Sequence, residues 1–357
     1  MTEWKEYKLG EIASFVTEKV SVQDVRLEDY ISTENMFADK GGITTASSKP
    51  TEGSATKYYT NTILISNIRP YFKKIWYANK DGGCSNDVLC FKAKERIVDS
   101  KYLYFLLSQD TFFDYVMLGS KGCKMPRGDK SHIMNWEISL PSLSTQYRIA
   151  SILSSLDDKI DLLHRENATL EQMAETLFRQ WFVVEAKEEW EEGKLGDLIV
   201  VKYGKDHKKL QDGKIPVIGS GGIMRYADTA LYDRESVLIP RKGTLNNVMY
   251  INEPFWTVDT MFYTEMRRPN IAKFVYHFMK EQDLANMNVG SAVPSMTTEV
   301  LNNIPVDIPP QDVFDRFEKA VASLYNKKEQ NNKQIQTLIQ TRDGLLPKLM
   351  FNEIELS

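Results

Sequence analysis

One unit, a proline turn running into a long helix, is written twice in this chain. "LPSLSTQYRIASILSSLDDKIDLLHRENATLEQMAETLFRQWF" covers 140–182, and "IPPQDVFDRFEKAVASLYNKKEQNNKQIQTLIQTRDGLLPKLM" covers 308–350. At an offset of 168, Pro141 matches Pro309, Arg148 matches Arg316, Leu156 matches Leu324, Leu170 matches Leu338 and Leu177 matches Leu345. The segments ahead of the helices also begin alike: "WKEYKLGEI" (4–12) matches "WEEGKLGDL" (190–198) at an offset of 186, so the first is 18 residues longer. A repeat of this period is far too long for a solenoid and reads as an internal duplication of a lobe plus a helix.

Inside each segment, short β-rich runs alternate with Gly, Asn, Asp and Pro turns. The runs are 63–66, 74–78 and 88–92 in the first segment, and 237–239, 247–251 and 260–264 in the second. "ILISNIRPYFKKIWYA" (63–78) echoes "VLIPRKGTLNNVMYI" (237–251), "SNDVLCF" (85–91) echoes "TVDTMFY" (257–263), and 118–141 echoes 289–310. Each segment adds an apolar, aromatic helical stretch, "SKYLYFLLSQDTFFDYVM" or "IAKFVYHFMKEQDLANM", whose rings read as core packing. The fold class expected is α+β, with two similar mixed α/β domains.

The long helices carry a seam of apolar residues at alternating steps of three and four, narrower than the stripe of a helix lying on a globular core. On the first it is Ile149, Ile152, Leu156, Ile160, Leu163, Asn167, Leu170, Ala174, Leu177 and Trp181; on the second, Phe314, Phe317, Val321, Leu324, Lys328, Asn331, Ile335, Leu338, Arg342, Leu345 and Leu349. One arrangement is two amphipathic helices, each packed on its own domain. The other is a mutual antiparallel coiled coil, about 58 Å long for about 39 residues, that separates the domains about an approximate two-fold axis. In a flush antiparallel pair, positions summing to about 498 meet: Ile160 faces Leu338, Leu163 faces Ile335, Leu177 faces Val321, Trp181 faces Phe317 and Asn167 faces Asn331. Two amides opposed in an apolar seam satisfy each other and penalise a slipped register.

Several function classes fall away. No run of about 18 apolar residues exists, so no membrane span is expected, and "MTEWKEYKLG" lacks an apolar signal core, which points to the cytoplasm. Cys84, Cys90 and Cys123 form no CxxC, and His132, His164, His207 and His277 have no zinc-type spacing, so neither a disulfide framework nor a metal site is expected. No GxxxxGK[ST] is present, and "GSGG" (219–222) lacks dinucleotide-fingerprint spacing. A Cys123–His132 nucleophilic pair is the nearest approach to a catalytic set, and no base or oxyanion donor completes it. The net charge of −4 disfavours a nucleic-acid binder taken as a whole, but the excess is local. Residues 141–189 hold 5 basic and 9 acidic side chains, a balance of −4, leaving the rest of the chain neutral in sum. The two large segments can therefore gather basic residues on one face.

Twin domains at fixed spacing suit double-stranded DNA, whose half-sites lie on a regular helix. The first segment offers basic loops at 67–74 and 119–130, containing Arg69, Lys73, Lys74, Ser120, Lys121, Lys124 and Arg127. The second offers loops at 202–209, 219–228, 240–247 and 290–295, containing Lys205, Lys208, Arg225, Arg241, Lys242, Asn246, Asn247 and Ser291. Lysines and arginines would hold phosphates; Arg69, Arg127, Arg225 and Arg241 are candidates for bidentate guanine contacts, and Asn246 and Asn247 for adenine.

The order of these pieces resembles the specificity subunit of a Type I restriction–modification system, over nearly the whole chain. "YKLGEI" and "GKLGDL" resemble the opening of each target recognition domain in that family, and "ISLPSLSTQYRIASILSSLDDKI" its proline–helix junction. "LFRQWFV" (177–183) and "LLPKLMFNEI" (345–354) resemble its helix ends. The family's Glu-Gln before the helix is Thr145-Gln146 here, which weakens any role for those side chains. The resemblance implies target recognition domains at 1–142 and 186–309, spacer helices at 143–185 and 310–350, and a tail at 351–357. It also implies that the two domains read the halves of a split target and that the chain performs no chemistry. Methyltransferase subunits, two per chain, and restriction subunits would dock on it. S-adenosylmethionine, ATP and Mg²⁺ would be bound by those partners, with no cofactor held here. The acidic face of the first helix (Asp157, Asp158, Asp161, Glu166, Glu171, Glu175) would suit a protein partner better than phosphates. The alternatives are a coiled-coil scaffold binding proteins only, and an enzyme acting alone.

Overall fold

The computed structural model describes residues 4–122, 124–287, 295–351 and 353–354. The chain divides into two compact units, Met1–Leu163 with Lys333–Ser357, and His164–Asn332. The division falls inside both long helices, Leu143–Arg179 and Gln311–Met350, so each unit contains a lobe and one half of each helix.

In the first unit, strand Lys5–Lys8 pairs antiparallel with Glu137–Leu140, placing Lys5 opposite Leu140 at the threshold of the first long helix. The Leu9–Ile12 turn follows at once, its start held by Glu11, whose carboxylate accepts from the Lys8 N–H at 2.6 Å. The central sheet runs Ala13–Phe15, Val88–Ala93, Ile63–Ser66, Ile75–Tyr77, antiparallel throughout. Its inner strands are covered on both faces, which is why they read as unbroken apolar runs. Helix Ser100–Leu107 begins at Asp99, whose carboxylate accepts from the Tyr102 N–H at 2.8 Å. It packs in a core shared with Ile149, Ala150 and Leu153 of the first long helix and Leu346, Leu349 and Met350 of the second. A second sheet joins Lys19–Ser21, Ser54–Tyr58, Gly82–Cys84 and Tyr30–Ile31. Cys84 and Cys90 are buried free thiols.

The second unit repeats this plan. Glu191–Lys194 pairs antiparallel with Pro305–Ile308, and the Leu195–Leu198 turn is held by Asp197 accepting from the Lys194 N–H at 2.8 Å. The sheet order Ile199–Tyr203, Met261–Met266, Ser236–Pro240, Met249–Ile251 is the same as in the first unit. Asp212–Gly219 pairs parallel with Trp256–Thr257, as Tyr30–Ile31 does with Gly82–Cys84. The first lobe's second sheet includes an antiparallel pair, Lys19–Ser21 with Ser54–Tyr58, that the second lobe's sheet lacks, and two further differences stand out. Asp212–Gly219 continues into a hairpin with Gly222–Ala227, and one helix, Ala272–Glu281, stands where the first lobe has Ser100–Leu107 and Asp110–Leu118.

The halves of the long helices run antiparallel in each unit. In the first, Ile160, Leu163 and Ile335 form a small core flanked by Leu338 and Ile339, and Arg342 Nη1 donates to Asp157 Oδ1 at 2.8 Å. In the second, Asn331 Nδ2 donates to Asn167 Oδ1 at 3.0 Å, and Asn167 Nδ2 donates to Asn332 Oδ1 at 2.8 Å. Farther along, Lys328 pairs with Glu171, and Trp181 meets Phe317 edge to face at 6.0 Å. Leu156, Leu170, Leu177, Leu324 and Leu345 are half-buried.

Ile152 corrects the expected seam: it is 36% exposed, while Leu153 is fully buried. At this end the helix must cover its lobe as well as its partner helix. The buried stripe therefore rotates one position to Ile149, Ala150 and Leu153. Likewise Phe178 and Phe182, one residue past Leu177 and Trp181, carry the packing against Phe274, Phe314 and Phe317 in the second unit. A π-helical turn, Gln180–Val184, ends this helix. Fully burying one such ring contributes about 1.5–3 kcal/mol.

A buried polar network ties the second lobe to its helices. Lys273 donates to Glu235 at 3.0 Å and to Glu318 at 2.5 Å, and its ammonium lies over the rings of Tyr250 and Tyr325. Burial works against the Glu171 charge, but Lys328, the Tyr276 hydroxyl and Lys280 outweigh it and hold the carboxyl down at about 2. Burial lowers His277 to about 4; its Nε2 pairs with the Tyr325 hydroxyl at 2.9 Å.

These two groups make the second unit acid-labile in separate windows. The unfolded chain protonates His277 near 6.5 while the folded one resists to about 4, so up to about 3 kcal/mol of stability is present above pH 6.5 and is lost between 6.5 and 4. Glu171, ordinarily near 4.5 and here about 2, contributes a similar amount above pH 4.5 that is lost as pH falls toward 2. Denaturation midpoints followed by tryptophan fluorescence across pH should show both slopes, and His277→Asn should flatten the upper one.

Candidate nucleic-acid interface

In the first lobe, the expected loops at 67–74 and 119–130 meet. Ile68 bridges Arg127, the Arg69 N–H donates to the Pro126 carbonyl at 2.8 Å, and Lys121 and Arg127 exchange backbone hydrogen bonds. Arg69 and Lys73 flank the Pro70–Phe72 turn, each with φ near +50°, a left-handed conformation that side chains rarely adopt. That double bend leaves Tyr71 and Phe72 exposed, their rings 4.7 Å apart.

The basic residues here divide by exposure. Arg69, Lys121, Lys124 and Arg127 are exposed. Lys121 pairs with Asp129 at 2.8 Å and Arg127 with Asp87 at 3.1 Å. Such surface pairs contribute about 0–1 kcal/mol, so exchanging the carboxylate for a phosphate costs little. Lys73 pairs with Asp110 at 3.0 Å. Lys74 is half-buried and donates to the Thr33 carbonyl at 2.6 Å, and burial lowers its pKa, so its role is structural. The Ser120 hydroxyl donates to the Met117 carbonyl at 2.8 Å.

In the second lobe, the loops at 202–209, 219–228 and 240–247 converge. The Lys205 N–H donates to the Thr257 carbonyl at 2.9 Å, and the Lys205 carbonyl accepts from Trp256 Nε1 at 2.9 Å. Asn247 Nδ2 donates to the Ser220 carbonyl at 2.7 Å, and Asn246 Oδ1 accepts from the Ala285 N–H at 3.0 Å, so both amides hold loops together. The Arg241 guanidinium lies over Tyr203 at 5.3 Å and donates to the Asp259 carbonyl at 3.2 Å. Arg225 Nη2 donates to the Leu210 carbonyl at 3.0 Å and to Asp212 at 2.9 Å, bracing the hairpin. Lys205, Lys208 and Lys242 are exposed. Ser291 lies outside the described residues.

Sequence reasoning missed the apolar part of this surface. Tyr203, Ile223, Met224 and Tyr226 are all more than two-fifths exposed. The signal was "GIMRYA" after a glycine turn, a strand with large side chains on both faces. It also missed Gln146, which is buried in the first unit. Its Nε2 donates to the Ile97 and Pro141 carbonyls, and its Oε1 accepts from the Asp99 N–H, so it fixes the start of helix Ser100–Leu107. Among the described residues no group of His, Cys, Asp and Glu could hold a metal ion, and no helix is long and apolar enough to cross a membrane.

A family model described as "Type I restriction modification DNA specificity domain" matches residues 1–172 and 187–340. The specificity subunit of Type I restriction enzyme MjaIX from Methanocaldococcus jannaschii is 26% identical over 302 residues, 72% of this chain and 70% of that protein. The HindI specificity subunit from Haemophilus influenzae is 21% identical, aligned over 99% of this chain and all of that protein. The crystal structure of a Type I restriction–modification S subunit from M. genitalium superposes with a TM-score of 0.60 at 18% identity, covering 100% of this chain and 97% of that one; at this identity the likeness is one of fold.

The convergence of loops in the second lobe depends on a glycine. A Cβ on Gly204 would overlap the Val258 carbonyl oxygen, whereas one on Gly221 would meet nothing within 4 Å. Gly204→Ala should therefore lower stability by roughly 1–3 kcal/mol, read as a shift in the denaturation midpoint, while Gly221→Ala should leave that midpoint in place.

Proposed function

The chain belongs to the Type I restriction–modification DNA specificity family, and from that premise we propose that it reads a split sequence in double-stranded DNA. Each lobe takes one half of the target, and the paired helices form an antiparallel coiled coil that sets the gap between the halves about an approximate two-fold axis. The chain is the non-catalytic member of its complex. Two methyltransferase subunits and the restriction subunits dock on it, and they bind S-adenosylmethionine, ATP and Mg²⁺.

The observation that supports this reading is the convergence, in each lobe, of basic loops far apart in sequence. In the first lobe Arg69 and Arg127 stand on adjoining backbone; in the second, the loop of Lys205 is tied to Thr257, and the loop of Arg241 and Asn247 to Asp259 and to Ser220 of a third loop. Antiparallel contacts such as Asp157–Arg342 and Asn167–Asn331 support the spacer. The exposed carboxylates Asp158 and Asp161 on the first helix suit protein docking rather than phosphates. A protein-only scaffold is not favoured, because nothing in that reading calls for basic loops gathered in both lobes.

Single-molecule sequencing of DNA methylated in cells that carry this chain with its methyltransferase partner tests the proposal. A split motif is expected; a contiguous motif, or none, would overturn it. Inserting about four residues in both helices should lengthen the spacer by roughly 6 Å, close to two base-pair steps, and widen the gap in the marked motif. Arg241→Ala should weaken one half-site by about 1–3 kcal/mol if the side chain reads a base, detected as partial methylation confined to that half's sequence variants.

A further inference from the structure

The second lobe contains a cavity of about 520 Å³ whose lining includes Asp206, His207, Ser220, Met224, Asp259 and Thr260. It lies among the loops that carry Lys205, Lys208 and Arg241, so it opens on the surface assigned above to DNA. Carboxylates are unexpected on such a surface, because they repel phosphates. These two are not neutralised by a neighbouring cation. Asp259 has no side-chain hydrogen bond or ion pair among the described residues, and Asp206 accepts only from the Lys208 N–H, at 3.1 Å.

The walls are held firmly. The Val258 N–H donates to the Ile218 carbonyl at 3.2 Å, and the Thr257 hydroxyl donates to the same oxygen at 2.9 Å. The Arg241 and Lys242 N–H groups both reach the Thr260 carbonyl, at 2.8 and 3.2 Å, and Arg241 Nη1 reaches the Asp259 carbonyl. On the opposite wall the hairpin is irregular. Val217 pairs with Arg225 and Ile218 with Ile223, leaving Met224 as the extra residue of a β-bulge. A bulge re-aims a side chain, and here Met224 lines the cavity. Buried His207 Nδ1 also has no hydrogen-bond partner.

We infer that this cavity is a base-reading pocket for the exocyclic amine of cytosine or adenine in the major groove, with Asp259 as the principal acceptor. The inference rests on the reading of the lobes as DNA-recognition domains. An ionised carboxylate only accepts hydrogen bonds. In the major groove the only donors are cytosine N4 and adenine N6; guanine and thymine present acceptors there. At the position it touches, an unpaired aspartate therefore admits C or A on one strand and repels G or T. Thr260 and His207 can each donate or accept, so they suit adenine N7 beside its amine. Met224 supplies the apolar contact for the base edge.

The test is the methylation motif written by the full complex carrying Asp259→Asn or Asp206→Asn in this chain. An asparagine both donates and accepts, so Asp259→Asn should admit G or T at one position of one half-site. Discrimination there should fall by roughly 5- to 150-fold, with the other half-site unchanged. Where a variant complex writes too little methylation to sequence, competition between matched duplex and duplex with G or T at each position reads the same ratio. If both variants keep the wild-type motif and the wild-type ratios, the pocket assignment is overturned while the split-target reading stands. If the wild-type complex marks no split motif, the reading itself fails and the pocket falls with it.

Discussion

Each lobe is closed by a four-residue strand pair joining its beginning to its end. Lys5–Lys8 lies against Glu137–Leu140, and Glu191–Lys194 against Pro305–Ile308. This ladder brings the lobe's entry beside the proline that launches the long helix, so the helix leaves from a fixed point. The glycine after each strand completes the joint. A Cβ on Gly10 would press on the Met134 carbonyl at 3.3 Å, and one on Gly196 on the Asn302 carbonyl at 3.2 Å. In both lobes a tight turn is thereby seated on the short helix that precedes the closing strand.

The lobes hold their helices differently. The first anchors its helix with a neutral side chain: Gln146 satisfies two carbonyls and one N–H deep in the core. The second uses charge. Glu171 gathers Lys280, Lys328 and Tyr276, and Lys273 joins Glu235 to Glu318. Breaking a buried pair is costly because the abandoned charge stays desolvated, although an apolar replacement of the whole group could be as stable. Removing one partner of this charged anchor would therefore cost more than removing Gln146's neutral contacts.

The duplication, the two long helices and the central strands were legible because each has a period or an offset that composition alone cannot produce. The Asn167–Asn331 contact was legible for the same reason: an amide at a seam position demands a partner, and an antiparallel register names it. Ile152 was not, because a seam drawn for a helix pair ignores the lobe beneath it, and the lobe claims Leu153 instead. The basic loops could be listed but not sorted. Exposed Arg127 and half-buried Lys74 look alike in sequence; only packing decides that one faces solvent and the other donates to Thr33. Arg225 is the sharper case, since its Nη2 donates to both the Leu210 carbonyl and Asp212.

That sorting has a physical consequence for recognition. An arginine bound to backbone positions a loop; a side chain lacking a partner has hydrogen-bonding capacity left for a ligand. By this criterion the second lobe's obvious candidates are partly engaged: Arg225 through Nη2, Asn246 through Oδ1 and Asn247 through Nδ2. Side chains with no hydrogen bond or ion pair among the described residues include Lys205, Lys208 and Lys242, which suit phosphates, and Asp259, which suits a base amine. Affinity and discrimination would then come from different side chains: lysines that attract any duplex, and a carboxylate that tolerates only some. If the carboxylate weakens non-cognate encounters while the lysines strengthen all encounters, selectivity would arise from their opposition rather than from the number of contacts.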